Sequence, residues 1–396
     1  MNSVSMSKAP PPAPERLPTA ADAAALGTVP GLLPRETVET MLQRGMISAS
    51  LPVEAGQLQP ASLDLRLGPR AYRVRASFLP GRERSVAEQL SAWRSDELDL
   101  KGNGAVLERG CVYVIPLLES LDLPESVEAA ANPKSSTGRL DIFTRLITDR
   151  SEVFDHAAPG YRGPLYAEVS PRSFSVRVRQ GSKLNQIRFR LRAPAAAEPV
   201  AGMDDALLAR RHAQVPLVDG ALNLRGGLIL RVALASETLG AQIGYRAQKH
   251  TDIIDVDRVG DYAVEDYWEP IQARADRRLI LDPGEFYILA SQEKIHIPPD
   301  LAAEMVPIDP AMGEFRVHYA GFFDPGFGFT TSGRPGSRAV LEVRSHEVPF
   351  ILEDGQVIGR LVYEKMAAAP QSLYGASGTS NYQGQGLKLS KHFRMN

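Results

Sequence analysis

The sequence predicts a mostly β protein made of two tandem copies of one sandwich or jelly-roll domain, with few short helices. Two observations carry that expectation. The apolar segments are short, rich in Val, Ile, Leu and Tyr, and bounded by Gly or Pro, whereas helix signals are sparse. The stretch "VLERGCVYVIPLLESLDLPESVEA" at 106–129 also returns as "ILDPGEFYILASQEKIHIPPDLAA" at 280–303. Gly110 and Gly284 stand 174 positions apart, as do Pro124 and Pro298, Glu168 and Glu342, and Gly181 and Gly355. A gapless offset held over so many blocks is hard to obtain by chance.

Along the chain, residues 1–29 read as a flexible Pro/Ala-rich tail. The single early lysine is not followed by an uninterrupted apolar stretch, so a signal peptide is not expected. The first copy is assigned to 30–200, the second to 201–370 and a C-terminal tail to 371–396. "PRETVETMLQRG" at 34–45 starts with Pro and ends just before Gly, the punctuation of a helix. "VYVIPLLESLDLP" and "LYAEVSPRSFSVRV" read as strands of the first copy, and "FYILASQEKIHIP" and "AVLEVRSHEVPFIL" as strands of the second. "MDDALLARRHA" at 203–213 is a second helix candidate, near the junction. The acidic, aromatic stretch at 250–270 reads as a loop or insertion of the second copy.

Composition narrows the function. The chain has 396 residues, and 45 Lys and Arg against 47 Asp and Glu give a net charge of −2. That is not the basic footprint of a nucleic-acid binder. No run of about 18 apolar residues occurs, so no membrane span is expected. Cys111 is the only cysteine; it cannot form a disulfide framework within the chain, which fits a reducing cytoplasm.

The segment "NPKSSTGRLDIF" at 132–143 holds Ser135, Ser136, Thr137, Gly138 and Arg139. Taken alone, these residues make either a polar turn after Pro133 or a cradle in which hydroxyls, backbone N–H groups and a guanidinium surround phosphate oxygens. Further along stand "VHYAGFFDPGFG" (317–328), "AVLEV" (339–343), "ILEDGQVIGRLVYEKM" (351–366) and "NYQGQG" (381–386).

In this order, and with "QPASLDLRLG" (59–68) as a first strand, these motifs resemble the dCTP deaminase family of the dUTPase superfamily, over roughly residues 30–395. The resemblance implies two dUTPase-like distorted jelly rolls acting on dCTP. It implies that Ser135, Ser136, Thr137, Gly138 and Arg139 bind the triphosphate, with Ser135 and Arg139 also bordering the reacting centre. It makes the glutamate of the "VLE" strand the acid/base that activates water against C4 of cytosine. Two candidates fit that place: Glu342, flanked by Val340 and Leu341 as substrate contacts, and Glu168 in "LYAEV". Ala320 and Asp324 would line the base and sugar pocket. Tyr374, Tyr382 and Gln385 would belong to a tail that closes over the nucleotide, where Asn381 stands at the family's lysine position.

The copies differ in a complementary way. The second has "VPIDPAMGEF" where the first has SSTGR, and the first has "TDRSEVFDHAAPGYRG", with Ala158 before Pro-Gly, where the second has "HYAGFFDPGFG". The phosphate cradle therefore stands in one copy and the base pocket in the other, and Glu342 is preferred to Glu168. A longer hairpin, "FGFTTSGRPGSR", separates Asp324 from Glu342. A partly buried carboxylate suits deamination because it can take a proton from water and return it to N3 and the leaving amine. Zinc deaminases need a Cys pair two residues apart, which one cysteine excludes; His318 and His346 read as pocket-edge or surface residues. Magnesium is expected only with the triphosphate.

The expected activity is conversion of dCTP to dUTP and ammonia, a step toward dTTP. The alternatives are a bifunctional deaminase and dUTP pyrophosphatase, a dUTPase, and a non-catalytic nucleotide-binding regulator. "APGYRG" (158–163) faintly resembles the uracil hairpin of dUTPases, but the Gly-Phe-Gly tail of that family is missing. The complementary losses predict one composite site per chain, in a monomer or across neighbours in a dimer or trimer.

Overall fold

The computed structural model describes residues 24–193, 202–307, 315–318, 321–329, 335–345, 347–376 and 382–394. Each half stacks two mainly antiparallel sheets. In the first half, the strands Arg94–Asp99, Arg70–Val74, Val112–Asp122, Arg162–Pro171 and Ile142–Thr148 follow one another in one sheet. Its companion runs Gly31–Leu32, Lys183–Leu191, Val127–Pro133, His156–Ala157, with Leu63–Arg66 also paired to Lys183–Leu191. Leu121, Leu146 and Leu165 from one sheet and Ala129, Ile187 and Phe189 from the other share a core, as alternation along each strand requires.

The second half repeats the plan. Trp268–Gln272, Gln242–Ala247, Tyr287–Ile295, Ser337–Ser345 and Phe315–His318 form one sheet; Leu228–Arg231, Val357–Lys365, Leu301–Pro307 and Phe322–Phe323 form the other. The offset of the sequence motifs governs the strands as well. Val127–Pro133 and Lys183–Leu191 have the same lengths and spacing as Leu301–Pro307 and Val357–Lys365. Register is kept too: Arg190 lies opposite Glu128, and Glu364 opposite Ala302.

A third core joins the halves, mixing Tyr113, Ala167, Phe174 and Leu184 with Trp268, Ile288, Val340, Leu389 and Phe393. The stretch 250–270, expected to be a loop or insertion, is a bridge. Its strand Ile254–Asp255 runs parallel to Val176–Val178 of the first half, and Asp255 receives two 2.6 Å hydrogen bonds from Arg179. Tyr267 and Trp268 pack edge-on against Phe174, Trp268 packs edge-on against Phe393, and Tyr262 packs edge-on against Tyr267. At another seam Arg190 pairs with Glu364, which lies 174 residues later, and with Glu128 at 2.8 Å.

Both expected helices are present, as Arg35–Gln43, closed by Gly45 at φ 77°, and Asp205–Gln214, capped by the Asp204 carboxylate. A third, Val86–Trp93, was not anticipated, although Ser85 and Glu88 cap each other reciprocally and that pattern is readable. Of the expected N-terminal tail, residues 1–23 lie outside the described residues, and Leu26 is buried in the first core.

Candidate active site

Ser135–Gly138 form a single helical turn between the strands Val127–Pro133 and Ile142–Thr148, and Arg139 caps it. The turn is held from outside. Lys134 N–H donates to the Leu184 carbonyl, and the Ser136 carbonyl accepts from the Ser390 hydroxyl. Ser136 and Arg139 are buried. Arg139 donates from its two terminal nitrogens to Gln385 Oε1 (3.1 Å) and the Lys388 carbonyl (2.9 Å), and its guanidinium lies 3.9 Å from the ring centre of Tyr382.

Arg139 faces Glu342 across the seam between the halves, with Nε 3.9 Å from Glu342 Oε1. Glu342 lies on the strand Ser337–Ser345, opposite Ile288 of Tyr287–Ile295 on one side and His318 of the edge strand Phe315–His318 on the other. Alternation turns Val340 and Glu342 toward one cavity and Leu341 into the core of the second half. Burial pushes the Glu342 carboxyl up from 4.5 to about 8; Arg139 opposes the shift and Asp141 adds to it. A carboxyl in this setting can gain or lose a proton close to neutral pH.

Asp324 enters from the "DPG" segment. It accepts a 2.7 Å bond from Arg188, whose guanidinium also donates to the Ala303 carbonyl and covers the Phe322 ring at 4.0 Å. Gly326, at φ 99°, brings the tail close: a Cβ there would lie 2.7 Å from the Leu373 Cβ and 2.9 Å from the Tyr374 nitrogen. Tyr374 N–H accordingly donates to the Pro325 carbonyl, and Tyr374 packs on Phe327.

One cavity of about 610 Å³ takes in Ser135, Ser136, Gly138 and Arg139 from the first half with Asp324, Val340 and Glu342 from the second, and Tyr374, Tyr382 and Gln385 from the tail. A single chain thus brings together the expected cradle, pocket and tail. Thr137 is buried beside the cavity without lining it, as Leu341 is. Ala320, His346 and Asn381, and the hairpin residues 330–334, lie outside the described residues.

Glu168 does not line the cavity. It lies on the strand Arg162–Pro171, buried, opposite Arg145, which pairs with it at 2.6 Å. Arg145 also covers the Phe154 ring at 3.4 Å. The acidic residue that shares Glu342's place in the repeat is therefore held in an ion pair.

Sequence reasoning missed the cationic wall. Lys134, Lys183 and Lys391 line the cavity with Asp64 and Asp257. Lys134 pairs with Asp64, and burial together with Lys134 pushes the Lys391 ammonium down. Arg188 was missed too. Only the strand assignment of "QIRFR" could have flagged it, as a cation placed among core positions. Lys391 stands ten residues from the position where a tail lysine was sought.

Comparison with known proteins follows the same division. The N-terminal domain family of 2'-deoxycytidine 5'-triphosphate deaminase (DCD) matches residues 29–193, and its C-terminal domain family matches 204–393. A crystal structure of 2'-deoxycytidine 5'-triphosphate deaminase from Agrobacterium tumefaciens superposes with a TM-score of 0.81 at 52% identity, covering 85% of this chain and 99% of that one. A dCTP deaminase of Actinobacillus succinogenes is 27% identical over 176 residues, 43% of this chain and 88% of the relative, so the relative is about half as long. A "dCTP deaminase, dUMP-forming" of Methanosphaera stadtmanae is 29% identical over 142 residues, 34% of this chain and 68% of the relative. With both domains matched and a solved relative covered almost end to end, the chain belongs to the dCTP deaminase family.

Proposed function

We propose that this chain hydrolyses the exocyclic amine of dCTP at one composite site, with Glu342 as the proton carrier. The observation that carries the reading is the juxtaposition of Arg139, which has no counterpart in the second half, with Glu342, whose first-half counterpart Glu168 is paired to Arg145 away from the cavity. Glu342 takes a proton from water, and the water oxygen bonds to C4 of cytosine. The proton passes to N3; the second water proton leaves with the amine as ammonia, and C4 keeps the oxygen as a carbonyl. Arg139, held by Gln385, Lys388 and Tyr382, steadies the charge that shuttles on Glu342. Asp324, fixed by Arg188, offers an acceptor to a deoxyribose hydroxyl, and Lys134, Lys183, Lys391 and the Ser135–Ser136 hydroxyls offer a polar bed for the phosphates.

A magnesium ion would arrive with the triphosphate. Asp64 fits such an ion, since its Oδ1 is buried at the cavity without a hydrogen-bond partner; the ion would supply charge neutralisation at the phosphates. The protein is read as cytoplasmic: no helix among the described residues is long and apolar enough to cross a membrane, and the lone Cys111 is free.

Purified protein incubated with dCTP and magnesium, with dCTP, dUTP and dUMP resolved over time, tests the reading. Release of ammonia with dUTP is expected. Accumulation of dUMP without dUTP would support a bifunctional enzyme, which the dUMP-forming relative favours. Unchanged dCTP would remove the deaminase reading.

A further inference from the structure

Two residues beyond Arg139 stands Asp141, and two beyond Glu342 stands Arg344. Asp141 is fully buried and adopts φ 55°, a conformation uncommon outside glycine. Its carboxylate accepts from Arg344 Nε at 3.2 Å, from Arg344 Nη2, and from the Ser173 hydroxyl at 2.7 Å. Arg344 also donates to Ser173 Oγ (3.0 Å) and to the Gly284 carbonyl (2.9 Å). Ser173 and Asp141 belong to the first half, Arg344 and Gly284 to the second. Glu342 and Arg344 share one face of their strand because side chains alternate. The seam therefore carries a ladder with two rungs of opposite polarity: Arg139 with Glu342, and Asp141 with Arg344.

We propose that Asp141 and Arg344 are positioning residues that hold the Ser135–Arg139 turn in register with the Glu342 strand and balance the charge around Glu342. The outer rung makes fork-shaped hydrogen bonds, whereas the inner one, at 3.9 Å, makes none. The rigid rung sets the spacing of the loose one, and the loose one is where the proton moves. A displacement of about 1 Å at such a place can cost on the order of 10²-fold in rate.

The inference rests on the deaminase reading for its rate measurement only. Asp141→Asn and Arg344→Met are each expected to lower kcat by about 10–100-fold. The Kd for dCTP, measured in the Glu342→Gln background, should change less than about threefold. The ionisation of Glu342 is followed directly by NMR of carboxyl-¹³C-glutamate protein, its resonance assigned as the one missing from Glu342→Gln. Removing the Asp141 charge should shift that titration to lower pH, and removing Arg344 should shift it to higher pH. A merely structural pair would not move the titration in opposite directions. Wild-type kcat with an unmoved titration in either folded variant would overturn the proposal, as would loss of binding equal to the loss of kcat. Should Asp141→Asn fail to fold, the half-buried Arg344 site still decides the matter. If the wild-type protein leaves dCTP unchanged, the functional reading fails and the two titration shifts still judge the ladder.

Discussion

Burial favours the protonated form of Glu342 and moves its carboxyl from 4.5 up to about 8, so both protonation states come within reach near neutral pH. Substituting Glu342→Gln should cost about 10²–10⁴-fold in kcat while dCTP binding persists, since the amide keeps the shape but cannot cycle a proton. With ionised Glu342 as the base, wild-type kcat/KM should climb with pH, reach half its maximum near 8 and level off above that. A pH–rate profile checks this. A carboxyl raised by folding stabilises the protein fully below its ordinary value, and that contribution is lost as pH climbs through the folded value. Between about 4.5 and 8 the wild type should therefore lose Tm relative to Glu342→Gln, read from melts in a pH series. Glu168→Gln should leave the rate near wild type and cost about 1–3 kcal/mol of stability in denaturant titrations, because Arg145 loses its charged partner. With Cys111 as the sole thiol, a zinc-selective chelator should not reduce turnover.

At the scale of elements, the tail is what completes the site. Tyr382 is buried beneath the Arg139 guanidinium, Gln385 bridges Arg139 to the Arg338 carbonyl, and Ser390 reaches the Ser136 carbonyl. A cation–π contact of this kind contributes about 0.5–2 kcal/mol, so Tyr382→Leu should lower kcat/KM by a few-fold to about thirtyfold in steady-state assays. The strands were legible because their Gly and Pro boundaries punctuate the sequence, and the offset showed that they recur. Alternation in "AVLEV" would also have separated Leu341 from Glu342. What was not legible is convergence over long sequence distances. Lys134, Lys183 and Lys391 meet at one cavity only because two paired strands and the tail are brought together, and no local period records that. The bridge at 250–270 was misread for the same reason, since its strand pairs with the other half.

At the scale of the molecule, cradle and pocket meet within one chain, so one nucleotide per chain is expected. Calorimetric titration of Glu342→Gln protein with a non-hydrolysable dCTP analogue should give a stoichiometry near one; a value near two would contradict it. Mixing Arg139→Ala chains with Glu342→Gln chains should restore nothing, because each chain builds its own site. Recovery of activity in the mixture would place the working site between chains. The complementary losses in the two halves were readable from SSTGR and DPG alone, yet the choice between neighbours in one chain and neighbours in two needed the shared core.

Arg190 and Glu364 occupy one and the same place in the repeated plan, and they touch. In an assembly of identical subunits, a residue on the symmetry axis can only meet itself. An arginine there would face an arginine, and a glutamate a glutamate, each pair repelling. Opposite charges at that place require two positions that can be written independently, which a single covalent chain supplies and a homo-oligomer cannot. The ion pair is therefore a mark of broken symmetry. It makes the correct partner for the first half the second half of the chain rather than another first half.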